Sequence, residues 1–311
     1  MSWWNNLLRR PPFSFIAGGL GLCLLLSAAM ASAGDAPAPR PRRLGVVAFY
    51  NPHLLYVKYQ QLVDYLTEAT GEQWELGVTL DYEQTVRALC SGEIDLAYLG
   101  PFTYLQVREA CGATPVVRLN TAGTSSYRSL IMVRQDSPFR SLTDLQGKLF
   151  AFGSPLSTSS HLVPRLMLSE AGLKPGEDIK CRYFGHHDRA ARAVVLGQAD
   201  ACGVRDIVGE NFARRGLRVL ARSGPIPNFP LVLRPGAPEA LRHSIIGALI
   251  ERPANDPKIR KEMQSWDVEL AGGFAPVADE DYEPVRVWVH QVFGPRALLD
   301  PQELLQCGGK G

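Results

Sequence analysis

The chain has 311 residues, with 33 Lys and Arg against 31 Asp and Glu, and 46% of its side chains are apolar. That length allows one large domain or two smaller ones, with enough residues for a real core. So even a charge balance lacks the basic excess that nucleic-acid binding needs, and that class is excluded.

Among the first ten residues, Arg9 and Arg10 are the charged side chains. Residues 13–26 are apolar, and Ser27-Ala28-Ala29-Met30-Ala31-Ser32-Ala33 then offers small residues ending in Ala-Ser-Ala. This is the pattern of a secretory signal peptide, with cleavage expected after Ala33. The apolar run is short and Gly-rich for a membrane span, although an uncleaved anchor is the alternative. Cys23 follows Leu20-Gly21-Leu22, a poor match to a lipid-attachment site. The two arginines account for the whole basic excess, so the mature chain is electrically balanced. Export implies an oxidising compartment, which makes Cys90, Cys111, Cys181, Cys202 and Cys307 candidates for pairing. Their distribution suggests Cys90–Cys111 and Cys181–Cys202, with Cys307 left over; buried free thiols are an equal alternative. None sits in a C-x-x-C pair or at metal-ligand spacing.

Residues 34–43 read as a Pro-rich extended tether. A strand is expected over 44–49, a loop at Tyr50-Asn51-Pro52-His53, and a helix over 55–70 ended by Gly71. A second strand follows over 74–80. Asp81-Tyr82-Glu83 then caps a helix running through Val86, Leu89 and Cys90. A turn, a buried strand and a Gly-Pro loop occupy 91–101, followed by a helix over 102–111 and a strand over 114–119. Strands alternating with helices predict a mostly parallel sheet with ligand loops at the strand carboxyl ends.

Residues 127–134 are an extended apolar segment, and Ser137-Pro138-Phe139 marks a boundary. A strand over 148–152 stops at Gly153-Ser154-Pro155, and Ser157-Thr158-Ser159-Ser160 opens an amphipathic helix. These hydroxyls exceed what one helix cap requires. Beside free N–H groups and the positive end of a helix, they make a seat for a small oxyanion; a well-capped surface helix is the plainer alternative. A strand over 179–184 leads to Gly185-His186-His187-Asp188 and a helix over 189–196. Residues 197–204 then repeat the pattern of 92–97: helix end, Gly-x-small-Asp, buried strand. Two copies indicate two similar lobes rather than a solenoid. A strand over 217–222, a Pro-rich crossing over 223–230 and an extended 231–233 come next. Residues 238–306 read as helical, with Trp266, Tyr282 and Trp288 as core anchors packing back on the first lobe. Crossings near 126–134 and 221–233 describe a hinged clam with a ligand cleft.

Several of these motifs carry a family resemblance. They are Gly92-x-Ile94-Asp95-x-Ala97-x-x-Gly100-Pro101-x-x-Tyr104, Tyr127 in Ser-Tyr-Arg-Ser, and Asp144-Leu145-x-Gly147-Lys148. Ser157-Thr158-Ser159 with Val163-Pro164, and Gly185-His186-His187-Asp188, complete the set. In order and spacing the chain resembles the periplasmic phosphate-, phosphite- and phosphonate-binding proteins of ABC importers, the PhnD-like type II periplasmic binding proteins. The likeness runs from about residue 43 to about residue 294.

It implies a two-lobed α/β fold, each lobe a mostly parallel sheet flanked by helices, joined by two hinge crossings. Lobe 1 would span 44–130, lobe 2 would span 131–222, and 223–311 would return to lobe 1. The resemblance further implies that Ser157, Thr158, Ser159 and His187 hold phosphonate oxygens. Tyr82 and Tyr127 would face them from the other lobe and the hinge. Hydroxyls, backbone N–H groups and an imidazole N–H can surround a tetrahedral oxyanion without a buried Lys or Arg. His187 would be most effective protonated, although a neutral tautomer also donates.

His186 is expected to face outward, Arg128 and Arg205 to be solvated or else to rim the cleft, and Tyr98 and Tyr104 to divide between cleft contact and packing. Family members that take aminoalkyl phosphonates use a carboxylate in the second crossing; here its nearest equivalent is Phe229, and Asp206 is one residue off another acid position. Phosphate, phosphite or methylphosphonate therefore fits better than an aminoethyl ligand. The implied partner is an ABC permease in the membrane, or alternatively a sensor kinase, and the implied location is the periplasm. No cofactor or metal is expected, since adjacent residues such as His186-His187-Asp188 rarely converge on one ion. No catalytic residue is assigned, because no Gly-x-Ser-x-Gly elbow is present.

Overall fold

A computed structural model describes residues 40–121, 123–298, 304 and 307. The expected signal peptide and most of the tether lie outside them. Regular structure begins before the tether's expected end, with β1 (Arg42–Val46). Asp95 is the reason: its fully buried carboxylate takes hydrogen bonds from Arg40 (2.8 Å), Arg234 (3.1 Å) and the Arg43 N–H (3.1 Å), which fastens the chain entry to the sheet.

From β1 the chain alternates through α1 (Pro52–Thr70), β2 (Trp74–Gly77), α2 (Tyr82–Ser91), β3 (Leu96–Tyr98), α3 (Pro101–Cys111) and β4 (Thr114–Leu119). Asn51 caps α1 by accepting from the Leu54 N–H, and Asp81 caps α2 by accepting from the Gln84 N–H. All three helices stop at a left-handed glycine, Gly71, Gly92 or Gly112. The chain leaves through β5 (Ser126–Tyr127) and builds a second sheet. That unit runs β6 (Ser129–Arg134), β7 (Leu149–Phe152), α4 (Val163–Glu170), β8 (Lys180–Tyr183), α5 (His187–Val195), β9 (Ala201–Arg205), α6 (Asp206–Ala213) and β10 (Leu217–Arg222). It returns by β11 (Ile226–Pro227), paired antiparallel with β5, and by β12 (Pro230–Leu233), inserted between β3 and β4. The tail holds α7 (Glu239–Ile246), α8 (Arg252–Asn255), α9 (Pro257–Met263), β13 (Phe274–Pro276) and α10 (Glu283–Phe293).

The two sheets have the orders β13-β4-β12-β3-β1-β2 and β10-β6-β9-β7-β8, and β5-β11 is a separate ribbon between them. The fold is thus two-lobed, with both crossings in one hinge ribbon. The sheets are more mixed than simple alternation predicts. Pairing is parallel among β1, β2 and β3 and among β7, β8 and β9. It is antiparallel where the crossing strands β6 and β12 enter from the opposite lobe.

The repeated sequence pattern is a repeated staple. Asp95 N–H donates to the Arg43 carbonyl while its carboxylate takes the Arg43 N–H. Asp200 does the same with Leu149, at 2.8 Å for each bond. Each lobe therefore locks the start of one buried strand to the start of its neighbour, at the sheet edge opposite the ligand loops.

The tail departs from expectation in two ways. Residues 274–276, expected to be helical, form the edge strand β13, where Pro276 needs no ladder donor. The tail also packs on both lobes. On α10, Phe293 stacks on Phe102 of the first lobe (6.1 Å between centroids) and touches His161 of the second (5.2 Å). Trp266 and Tyr282 are buried as expected, whereas Trp288 is half-buried beside Val163 and Leu166.

Cys90–Cys111 forms as expected, but the second disulfide is Cys181–Cys307, and Cys202 is a buried free thiol. Register forbids Cys181–Cys202. Cys181 pairs with Phe150 of β7 while Cys202 pairs with the next residue, Ala151, so the two side chains point to opposite faces of the sheet. They are also two strands apart, about 9–10 Å, beyond disulfide reach. Cys307→Ser is expected to lower the unfolding free energy by about 2–4 kcal/mol, read from urea unfolding of the oxidised protein. Peptide mapping without reduction should recover Cys202 unpaired; an intact Cys181–Cys202 peptide would contradict the register.

Candidate functional site

β7 ends at Phe152, and the chain turns into the helix start through Gly153. A β-carbon on Gly153 would stand 2.6 Å from Ser160 Oγ and 3.3 Å from the His187 ring, so the close approach requires glycine. Ser160 uses that space as a structural pin. It accepts from the Gly153 N–H (2.7 Å) and donates to the Gly203 carbonyl on β9 (2.5 Å). Gly203 in turn permits Pro164 to sit against β9, where a β-carbon would meet it at 2.5 Å.

The helix then opens as a wide π turn, Thr158–Leu162, continuous with α4. Ser157 is its cap, accepting from the Ser160 N–H at 3.1 Å. Thr158 Oγ1 accepts from the Phe102 N–H in the first turn of α3, across the cleft, at 2.9 Å. The Ser159 carbonyl accepts from the Ser129 hydroxyl (2.7 Å), while its own hydroxyl is buried without a partner.

His187 is the first residue of α5, and its main-chain N–H donates across the cleft to the Phe49 carbonyl at 3.2 Å. Its Nδ1 accepts the Arg205 N–H at 3.2 Å. The ring proton therefore resides on Nε2, which faces Ser157 Oγ at 2.9 Å and Tyr82 Oη at 3.4 Å. Tyr82 opens α2 in the first lobe. Tyr127 lies on the hinge strand β5, near the Ser159 and Thr158 hydroxyls, with its own hydroxyl unsatisfied.

The structure brings Tyr82, Tyr127, Ser157, Thr158, Ser159 and His187 into one cluster, each at most 3% exposed. Three helix starts, those of α2, α5 and the π turn before α4, contribute residues to it, and the start of α3 meets it through the Phe102 N–H. Helix N-termini carry partial positive charge and spare N–H groups. Among the described residues, no carboxylate hydrogen-bonds to any of the six.

The titratable groups are all held in donor form. Burial, then the Arg205 charge, then His186 push His187 down to about 3, so it is neutral. In the ligand-free chain the neutral tautomer is thus the donor form of His187. Burial raises both the Tyr82 and Tyr127 phenols, which stay protonated.

Other expectations change. His186 faces inward, buried, its Nδ1–H donating to the Ala48 carbonyl across the cleft at 2.7 Å. Arg128 is half-buried and ties the hinge to the Ser223 carbonyl at 2.5 Å. Arg205 is fully buried rather than solvated, paired with Glu269 and bonded to Tyr98 Oη at 3.3 Å. Tyr98 and Tyr104 serve packing, with hydroxyls on Glu269 (2.8 Å) and Asp279. Asp206 binds the Arg128 N–H at 2.8 Å, a hinge contact. Glu269 was missed, and the place of Arg205 at a strand end, where α/β folds put ligand residues, favoured the cleft over solvent.

His187 stays neutral in the folded chain, whereas a free histidine takes up a proton near 6.5. As pH falls below 6.5 the unfolded chain gains a proton that the folded chain refuses, so stability declines towards about 3. His187→Gln keeps a donor near Nε2 and lacks this titration. Between pH 7 and pH 5 the wild type should therefore lose about 2 kcal/mol more than the variant, read by urea unfolding at both pH values; equal losses would contradict a buried neutral ring.

Residues 44–282 match the family model described as ABC transporter, phosphonate, periplasmic substrate-binding protein. A relative from Mycolicibacterium smegmatis, the phosphate-import protein PhnD, is 29% identical over 299 residues, covering 85% of this chain and 92% of that protein. A binding-protein component of an ABC phosphonate transporter from Pseudomonas aeruginosa superposes with a TM-score of 0.73 at 20% identity, covering 80% of this chain and 86% of that one. PhnD1 from Prochlorococcus marinus, solved with methylphosphonate, superposes with a TM-score of 0.72 at 17% identity, covering 80% and 97%.

Proposed function

The chain belongs to the family of periplasmic substrate-binding proteins of phosphonate ABC transporters, and from that footing we propose that it captures a small phosphorus oxyanion between its lobes and delivers it to an ABC importer. Phosphate, phosphite and short alkylphosphonates are the ligand class. The observation that carries this reading is the pair of buried, unsatisfied hydroxyls of Tyr127 and Ser159 within a cluster of donors. A buried hydroxyl without a partner costs about 1–3 kcal/mol, and an oxyanion between the two would remove both penalties.

Ser157, Thr158, Ser159 and His187 present one rim of the seat from the second lobe. The anion docks there first, on the helix start, and Tyr82 and Tyr127 close over it as the β5–β11 ribbon bends. Residues 44–130 with 223–282 act as one jaw and 131–222 as the other, with α10 packed on both and Cys307 fastened to the second by its disulfide to Cys181. Closure buries the charge among neutral donors and sets the outer faces of both jaws for a membrane permease. A sensor kinase would recognise the same closed state. The chain would reach the periplasm by way of its N-terminal segment, with cleavage after Ala33.

The Ser157–His187 contact has the spacing of a nucleophile and base but the reverse polarity. A catalytic base needs a free Nε2 lone pair, with Nδ1–H held by an acceptor. Here Nδ1 accepts a backbone N–H, so Nε2 carries the proton and can only donate. This polarity supports a binding role for the contact.

Calorimetric titration with phosphate, phosphite, methylphosphonate and sulfate should reveal tight binding of at least one phosphorus oxyanion. Ser159→Ala and Tyr127→Phe should each weaken it about ten- to a hundredfold, the worth of a hydrogen bond to a charged group. Unchanged affinity in both variants would sink the assignment of the seat.

A further inference from the structure

Arg205 is the last residue of β9, in the second lobe, yet its side chain ends in the first. It runs beneath the donor cluster to Glu269 and Tyr98. On the way its guanidinium carbon passes 4.2 Å from the Phe229 ring centroid, 4.9 Å from Tyr127 and 6.0 Å from Phe49. Phe229 itself stacks on Tyr98 at 5.0 Å and lies 5.8 Å from Phe49. The cleft floor is thus a ring-lined slot already filled by a cation of the protein's own. Aromatic faces attract cations, so the slot is built for positive charge and Arg205 occupies it.

The same residue touches the seat directly. Its main-chain N–H fixes the His187 tautomer at 3.2 Å, and its Nε is buried without a hydrogen-bond partner. Its charge also bears on His187, Tyr82 and Tyr127, three of the six cluster residues. Glu269 Oε1 is shared between Arg205 and Tyr98, leaving Oε2 unpartnered. Of the pair it is Arg205 that contacts the seat, through the Tyr127 ring and the His187 ring nitrogen.

Resting on the reading of the cluster as a phosphorus-oxyanion seat, we infer that Arg205 is a specificity-determining residue. It admits compact anions and repels any ligand whose substituent carries a positive charge, with Glu269 as its positioning partner. Specificity here comes from a repulsive element as much as from attraction.

Two ligands of equal size separate charge from volume: propylphosphonate, and aminoethylphosphonate with an ammonium in place of the terminal methyl. The decisive variant is the double substitution Arg205→Met with Glu269→Gln, which removes both charges together and leaves neither buried alone. Wild type should bind propylphosphonate at least tenfold more tightly than aminoethylphosphonate, and the double variant should shrink that ratio at least tenfold. Arg205→Lys, which keeps the charge, should preserve the discrimination. A ratio unchanged in a double variant that still melts cooperatively and binds methylphosphonate overturns the role of Arg205 alone. So does a wild type that binds both ligands equally. Failure of the wild type to bind any phosphonate, phosphate or phosphite overturns the seat itself, and the specificity inference falls with it.

Discussion

The polar groups that meet across the cleft are one another's partners. Phe102 N–H meets Thr158 Oγ1, Thr103 Oγ1 meets the Leu156 carbonyl, and His187 N–H meets the Phe49 carbonyl. His186 adds a bond to Ala48, and Arg205 reaches Glu269. Buried donors and acceptors are costly to leave unmade, whereas exposed ones bind water at little loss. The two lobes are therefore matched as a set: apart, each group is hydrated, and together, each must find its counterpart. Most of the counterparts are backbone groups at helix starts and strand ends, and these are available only because both lobes point their loops at the same space. The hydroxyls of Tyr127 and Ser159 are the exception to this matching. The proposed oxyanion would complete the matching at these two hydroxyls.

The electrostatics follow from the same matching. A fixed cationic side chain aimed at an anion would hold it through charge and would have to be desolvated with the lobes open or shut. This cluster instead uses hydroxyls, N–H groups and a neutral imidazole, whose burial is far cheaper. Four converging helix starts add a favourable field without any titratable group. Arg205, a buried cation beside the cluster, is held in place by its pairing with Glu269 and contacts the seat without hydrogen-bonding from its guanidinium to any of the six residues.

Local features were legible in the sequence. The strand–helix alternation, the glycine stops at Gly71, Gly92 and Gly112, and the Asp81 cap depend on neighbours within a few residues, and they appear at or near the positions expected. Ser157-Thr158-Ser159 was visible because more hydroxyls stood together than a cap requires. Features set by distant partners were not legible. Arg205 reads as a surface residue until Glu269, 64 positions later, is known to reach it. His186 reads as outward until the Ala48 carbonyl is placed beside it. Strand β13 was hidden in a stretch with helical periodicity, and only the open edge of β4 gives it a place. The resemblance alone supplied the roles expected of Tyr82 and Tyr127, which periodicity cannot distinguish from ordinary aromatic packing.

The cysteines present a kinetic problem that the second sheet resolves. Cys202 follows Cys181 at the spacing by which Cys111 follows Cys90, 21 residues, whereas Cys307 lies 126 residues beyond Cys181. In an unfolded chain the shorter loop closes more readily, by about 1.5 kcal/mol from chain entropy alone. An oxidant acting on the emerging polypeptide would thus join Cys181 to the wrong thiol more often than to the right one. Inserting β7 between β8 and β9 turns the two sulfurs away from each other and buries Cys202. Once the strands are assembled the register rules out the wrong pairing, so the order of strand assembly and oxidation decides how much of the chain matures without isomerase repair.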